Sequence, residues 1–341
     1  MLAVVVKAER EIAVTQIDPP PPPGDGEVQI RIRAVALNHI DVWGWRGMVF
    51  AKRQLPLIAG VEAAGEITAI GDNVSGLSVG QIVAPYGALN CGTCAACTAG
   101  RDNFCDNPSG IYGFHIDGFM RELINVPAHL AVPAPAGLDV VAAACATVTF
   151  GTVEHMLFDN AKLQSGQTIL VQAGGSGIGT AAIQLAKSVG ATVITTVGDD
   201  TKAAKALALG ADHAINYKEE RFEGVVRKLT GKKGVDVVFE HVGTDTWEGS
   251  LFSLKRGGCL VTCGSTTGMK AQINLYQLFQ QQQRIFGSFG CTKKNVADAL
   301  GKLADGVVAP TIDLKIPVSD IDAGLRRLES RQVFGKVIVT L

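Results

Sequence analysis

Residues 168–197 read TILVQAGGSGIGTAAIQLAKSVGATVITTV, and the fold follows from how this stretch is punctuated. Thr168–Ala173 is an apolar run of strand length, and Gly174-Gly175-Ser176-Gly177-Ile178-Gly179 follows it directly. A helix is predicted over Thr180–Val189, terminated by Gly190, and a second strand over Thr192–Val197. Strand, glycine-rich turn, helix and second strand within thirty residues make a βαβ unit, in which a dinucleotide pyrophosphate can lie on a helix N-terminus. Ser176 replaces the middle glycine of G-x-G-x-x-G; its hydroxyl is small enough for the turn and able to bond a phosphate oxygen. The expected phosphate cradle is Gly174, Ser176, Gly177, Ile178 and Gly179.

Downstream, further apolar strands are expected at Val235–His241, Cys259–Gly264 and Arg284–Ser288, separated by helical stretches that end in glycine. That is the texture of a doubly wound parallel sheet. Upstream the texture differs. Short runs such as Val28–Val35, Gly65–Ile70 and Gln81–Val83 alternate, and Pro and Gly separate them, including the extended run Pro19 to Pro23. An amphipathic helix is expected over Lys294–Asp305 and a last strand over Lys336–Leu341. The fold class expected is α/β: a β-rich domain over 1–146, a Rossmann domain over 147–284, and a C-terminal return over 285–341.

Composition narrows the function classes. With 341 residues, 47% hydrophobic and 18% charged, the chain has enough apolar side chain for two cores. Lys+Arg number 31 against 32 Asp+Glu, and no cluster of basic residues forms the footprint that nucleic acid requires. The N-terminal apolar run, Leu2 to Val6, meets Lys7, Glu9, Arg10 and Glu11 too soon for a signal peptide. No run approaching the ~18 apolar residues of a membrane span is expected, so the reading is a soluble, cytoplasmic protein. Of eight cysteines, Cys91, Cys94, Cys97 and Cys105 fall in C-x2-C-x2-C-x7-C. Four thiolates at that spacing can close a tetrahedral Zn²⁺ site with no open position, which is structural rather than catalytic; an iron–sulfur cluster is the alternative.

After the second strand come Asp199, Asp200 and Lys202. An acid here favours the ribose hydroxyl of NAD, and a lysine the 2′-phosphate of NADP. The bland reading is that Asp199 or Asp200 caps the helix expected at Thr201–Leu209.

With these motifs in this order, the chain resembles the medium-chain dehydrogenase/reductases along its whole length: a GroES-like catalytic domain with a cysteine lobe (91–105), a Rossmann domain, and a closing Phe334-Gly335-Lys336-Val337. The stretch Ala36-Leu37-Asn38-His39-Ile40-Asp41-Val42-Trp43 also carries the resemblance. In the family's zinc alcohol dehydrogenases, the catalytic metal takes a Cys at Asn38, a His at Val61 and a Cys or acid at Val148. Their proton-relay residues match Ile40 and Trp43. With all three ligands absent, the Lewis acid that lowers an alcohol's pKa is lost. The resemblance therefore implies the branch similar to quinone oxidoreductases and enone or enoyl reductases, in which NADPH delivers hydride to a C=C conjugated to a carbonyl. It implies Asn38, His39, Asp41 and Tyr112 as catalytic candidates, with His115 or bulk water as other acids. It implies cofactor contacts at Thr152, Lys202, Tyr217, Val242, Gly264, Ser265, Phe286 and Ser288, and at Asp199 if NADH is used. NADPH is favoured, because in NAD-preferring relatives the acid stands at the strand end, here Val197.

The rival enzyme reading is an alcohol dehydrogenase with a metal on His39, Asp41 and Glu62. The rival from another class is a low-turnover, nucleotide-binding redox sensor. Small-molecule substrate, no nucleic acid and no membrane are the expected partners. A homodimer, or a tetramer, is expected through the edge of the nucleotide-binding sheet. Glu154 and His155 stand on a helix after Thr152 with no assigned role.

Overall fold

The computed structural model describes residues 1–48 and 53–341. They form two compact units, one of Met1–Gly151 with Cys291–Leu341, the other of Thr152–Gly290. The second boundary lies after the strand Arg284–Gly287, whereas the expected boundary at 284/285 would cut that strand.

In the larger unit, among the described residues, a seven-stranded sheet runs in the order Ala131–Pro133, Ile82–Pro85, Ala63–Ile70, Glu27–Ala36, Lys336–Thr340 and Ile312–Pro317, with Leu123–Pro127 also on Glu27–Ala36. The period-2 pattern of the Glu27–Ala36 strand explains its central place: Val28, Ile30 and Ile32 are buried while Arg31 and Arg33 face out. The C-terminal strand pairs antiparallel with it, Ile338 opposite Ala36 and Val339 opposite Val35. This pairing returns the end of the chain to its beginning and sets Lys336 beside Asn38.

The unit Thr152–Gly290 is a six-stranded, all-parallel sheet. Its strand order is His213–Asn216, Thr192–Val197, Thr168–Val171, Val235–Glu240, Leu254–Thr262 and Arg284–Gly287. Leu170, Ile194, Val238 and Leu260 from four adjacent strands pack with Phe222, Val226 and Leu251 from the covering helices, as expected of strands buried on both faces. Order reverses between Thr168–Val171 and Val235–Glu240, the switch point at which such sheets bind ligands at the strands' carboxyl ends.

Three elements depart from expectation. The first nucleotide-unit strand ends at Val171, two residues early, because Ala173 turns left-handed at φ 49. The following helix starts at Gly177, because Ser176 caps it. A continuous helical run, Val140–Asn160, is long and apolar enough to cross a membrane, contrary to the expectation that no such run exists; its most apolar 18-residue stretch is 83% buried within the protein. It contains two wide π-type stretches, Ala146–Phe150 and His155–Asn160.

Candidate functional sites

The glycine loop is shaped by how tightly it lies on the sheet. A Cβ on Gly174 would come 2.1 Å from the Thr195 hydroxyl, and one on Gly179 2.3 Å from the Ala173 carbonyl. Ser176 caps the helix Gly177–Ser188, its hydroxyl accepting from the Gly179 N–H at 3.0 Å. Amides of a first turn have no partner within their helix, which leaves Gly177 and Ile178 to offer donors where the helix dipole favours an anion. The residues fit a dinucleotide phosphate.

The other expected cofactor residues of this unit lie at its carboxyl edge. Val242 follows the strand ending at Glu240, Gly264 and Ser265 follow the strand ending at Thr262, Phe286 stands near the end of the last strand and Ser288 just after it. Ser288 is buried and its hydroxyl accepts from the Asn160 side chain at 3.0 Å. Thr152 is buried at the unit's start. Asp199 caps the next helix, accepting from the Lys202 N–H at 2.8 Å, and Asp200 accepts from the Asn216 amide at 3.0 Å. Asp199 is thus the helix cap of the bland reading, while Asp200 is the helix's first residue and bonds Asn216 instead. Val197 is buried, Lys202 stands in the helix's first turn, and the exposed Tyr217 reaches back over Gly198, where a Cβ would come 3.0 Å from its hydroxyl.

In the larger unit, the positions matched to catalytic-metal ligands enclose a buried polar cluster. Glu62 is fully buried and takes five donors. Its Oε1 accepts from the Val148 and Thr149 N–H groups at 2.7 and 2.6 Å, at the start of the wide helical stretch. Its Oε2 accepts from the Thr149 hydroxyl at 2.7 Å, the Asn38 amide at 2.9 Å and the Lys336 ammonium at 3.1 Å. Asn38 also donates to the Ala36 carbonyl at 3.0 Å, and its Oδ1 accepts from Lys336 at 2.8 Å. Both N–H bonds of its amide are therefore in use, on the Ala36 carbonyl and on Glu62. Glu62 likewise has no free oxygen lobe for the metal of the rival reading. The sequence reading gives no role to Lys336, which enters it only within the closing Phe334-Gly335-Lys336-Val337, and does not name Thr149; the available signal is a lone lysine opening the buried strand KVIVT.

Asp41 is buried below this cluster, accepting from the Asn38 N–H at 2.8 Å and the Val61 N–H at 3.2 Å. Burial pushes its carboxyl up to about 7 despite those two donors. A raised folded pKa in an acid means that the folded chain holds the proton longer than the unfolded one, so this group's contribution falls as pH rises from about 4 to about 7. Asp41→Asn should therefore flatten the pH dependence of the denaturation midpoint across that window; an unchanged slope would refute it. Tyr112 lies against Phe119 with ring centroids 4.7 Å apart, and burial pushes its hydroxyl up to about 12. His39, the first residue of the helix His39–Arg46, meets Trp43 edge-on at 6.0 Å. The His115 Nδ1 accepts from the Ile111 N–H at 3.2 Å, and burial lowers its pKa. In the other unit, Glu154 and His155 are buried, and His155 pairs with Asp159 at 2.8 Å.

The four lobe cysteines converge with their sulfurs all within 4.8 Å of one another. A Zn–S bond of about 2.3 Å implies sulfurs about 3.8 Å apart around a tetrahedral ion, so the donor set fits zinc after a small contraction. N–H groups of Thr93 and Cys94 lower the Cys91 thiol to about 6, whereas burial and the neighbouring cysteines push the Cys97 thiol up to about 12; a metal binds the thiolate form of each. Asp102 ties the lobe to the C-terminal return, taking the Lys293 N–H at 3.0 Å and its ammonium at 3.3 Å.

Residues 24–136 match the family described as alcohol dehydrogenase GroES-like domain, and residues 177–305 the family described as zinc-binding dehydrogenase. The chain is 31% identical to acryloyl-coenzyme A reductase of Metallosphaera sedula over 100% of both chains. It is also 31% identical to a quinone oxidoreductase of Salmonella typhimurium, covering 90% of this chain and 88% of that protein. A crystal structure described as an NAD-dependent alcohol dehydrogenase superposes with a TM-score of 0.94 at 36% identity, covering 100% of each chain.

Proposed function

Since the chain belongs to the medium-chain dehydrogenase/reductase superfamily, an oxidoreductase family, we propose that it is an NADPH-dependent reductase of carbon–carbon double bonds conjugated to a carbonyl. Quinones, enones and enoyl thioesters are the substrate classes, and chemistry proceeds without a catalytic metal. The observation that carries this reading is the saturated cluster at the metal positions: Asn38 and Glu62 are fully hydrogen-bonded, and Val61 and Val148 bring no ligand. The names of the reductase relatives, an acryloyl thioester reductase and a quinone oxidoreductase, support the substrate classes. The name of the structural neighbour favours the alcohol reading instead, and the missing ligands weigh against it.

NADPH, when bound, supplies the hydride. The chain's part is to hold it: the Gly177 and Ile178 amides take the pyrophosphate, Lys202 and Tyr217 the 2′-phosphate, and Val242, Gly264, Ser265, Phe286 and Ser288 border the rest. Tyr112, whose hydroxyl burial keeps protonated, remains a candidate acid for protonating the enolate beside His39, His115 and solvent. One zinc in the cysteine lobe is structural. Four cysteines on zinc and four more outside any disulfide suit a reducing, cytoplasmic compartment.

The test is NADPH and NADH oxidation against a quinone, a 2-enone and crotonyl-CoA, beside oxidation of simple alcohols. Expected is turnover of at least one conjugated acceptor with kcat/KM higher for NADPH, lowered about tenfold by Lys202→Ala for NADPH alone, a charge-assisted contact being worth about 1.5 kcal/mol. Alcohol oxidation abolished by a chelator would overturn the reading; equal cofactor rates with an inert Lys202→Ala would overturn the NADPH assignment.

The assembly proposed is a homodimer across the strand Arg284–Gly287, which is paired on one side only. The segment preceding it exposes Met269, Leu275, Tyr276 and Phe279, each at least 60%, an apolar surface that a second copy would cover. Sedimentation should give a dimer at micromolar concentration and a monomer for Tyr276→Lys with Phe279→Lys. A wild-type monomer would refute it.

A further inference from the structure

Among the carboxylates buried in the unit Thr152–Gly290, that of Glu240 is met by neutral hydrogen-bond donors. Glu240, fully buried at the carboxyl end of its strand, is held by four donors. Its Oε1 accepts from the Val242 and Gly243 N–H groups at 2.6 and 3.1 Å, and its Oε2 from the Thr246 and Ser250 hydroxyls at 2.9 and 2.7 Å. The helix Thr244–Ser253 starts beside it, so its dipole favours the negative charge.

The Ser250 bond is the last link of a longer chain. The Ala173 N–H donates to the Thr196 hydroxyl at 3.0 Å, Thr196 donates to the Gln172 Oε1 at 2.6 Å, the Gln172 amide donates to the Ser250 hydroxyl at 3.0 Å, and Ser250 donates to Glu240. Every hydrogen points the same way, toward an acceptor that cannot donate, so the anion fixes the orientation of each rotor and of the Gln172 amide. The chain begins at Ala173, whose left-handed φ of 49 opens the glycine loop, a conformation that a side chain with a Cβ adopts only when its surroundings hold it there. The same carboxylate grips Val242 and Gly243, a second stretch of the carboxyl edge.

We infer that Glu240 is a positioning residue for dinucleotide binding, holding the glycine loop in its phosphate-accepting shape through Ser250, Gln172 and Thr196. This rests on the dinucleotide reading above. No glycine motif announces it; the signal in sequence is a lone glutamate closing the strand VDVVFE.

The test is the NADPH dissociation constant, by nucleotide fluorescence on the full chain, for wild type, Ser250→Ala, Thr196→Val, Thr196→Ser, Glu240→Gln and the Ser250→Ala/Thr196→Val double variant. Ser250→Ala and Thr196→Val should each weaken binding about tenfold, Thr196→Ser should bind within threefold of wild type, and the double variant should be no weaker than the weaker single, because both cut one chain. Amide exchange at Ala173 and Gly174 should quicken in the same variants without nucleotide, while Thr230–Gly234 stays unchanged. Should Glu240→Gln fail to fold, Ser250→Ala and Thr196→Val carry the test. Wild-type binding in those two variants, or additive losses in the double variant, would overturn the inference while leaving the dinucleotide reading intact. A wild-type chain that binds neither NADPH nor NADH would overturn both.

Discussion

Lys336→Met is expected to destabilise the larger unit by about 3–5 kcal/mol, the cost of leaving a buried charge without its partner. Lys336 is 3% exposed, Glu62 is 0% exposed, and their groups meet at 3.1 Å. Water cannot replace the ammonium, and the four donors that remain on Glu62 are neutral. The Asn38 Oδ1 loses a donor at the same stroke. Glu62→Gln should cost a comparable amount by stranding the ammonium. The double variant, with no unpaired charge, should be more stable than the sum of the singles implies, since the two side chains act as one unit. Denaturant titration followed through Trp45, which is buried in the same unit, reads all three. A Lys336→Met loss below about 1 kcal/mol, in the range of an exposed ion pair, would show that the pair does not hold this unit.

Cys94→Ser is expected to empty the cysteine lobe of zinc and lower the thermal midpoint of the larger unit by about 10 °C or more, because the binding energy of a structural metal is folding energy. The lobe has little else to hold it. Of its four cysteines only Cys97 is buried, and its regular structure is one turn of helix, Ala95–Thr98, with the short turn Asp102–Phe104. Among its ties to the rest are those of Asp102, by its bonds to Lys293 and by its carbonyl, which accepts from Asn90 at 2.8 Å. Losing the metal should thus be felt at the helix Lys293–Ala304, nearly two hundred residues away in sequence. Elemental analysis should give one zinc per wild-type chain and none in the variant. Two per chain would overturn the metal-free chemistry proposed above, and none in the wild type would remove the structural zinc.

What could be read from the sequence was whatever the chain encodes locally. The glycine loop, its strands and helix, and the cysteine lobe are spelled within thirty and fifteen consecutive residues, because turn chemistry, strand and helix periods and ligand spacing act over short distances. Element ends slipped by a few residues where a single backbone angle or cap decided them, as at Ala173 and Ser176. Tertiary structure decided the roles of the polar residues. Asn38, a catalytic candidate by its position, has a lysine 298 residues on folded against it. Glu62 found its ammonium 274 residues away, and its helical amides 86 and 87 away. Asp199, open to a ribose in sequence, has its carboxylate on the next turn's backbone. Hydrophobic patterning tells which residues go inside, but a buried charge must be met by whichever donors the sheet order brings to it, and that order is a property of the whole chain.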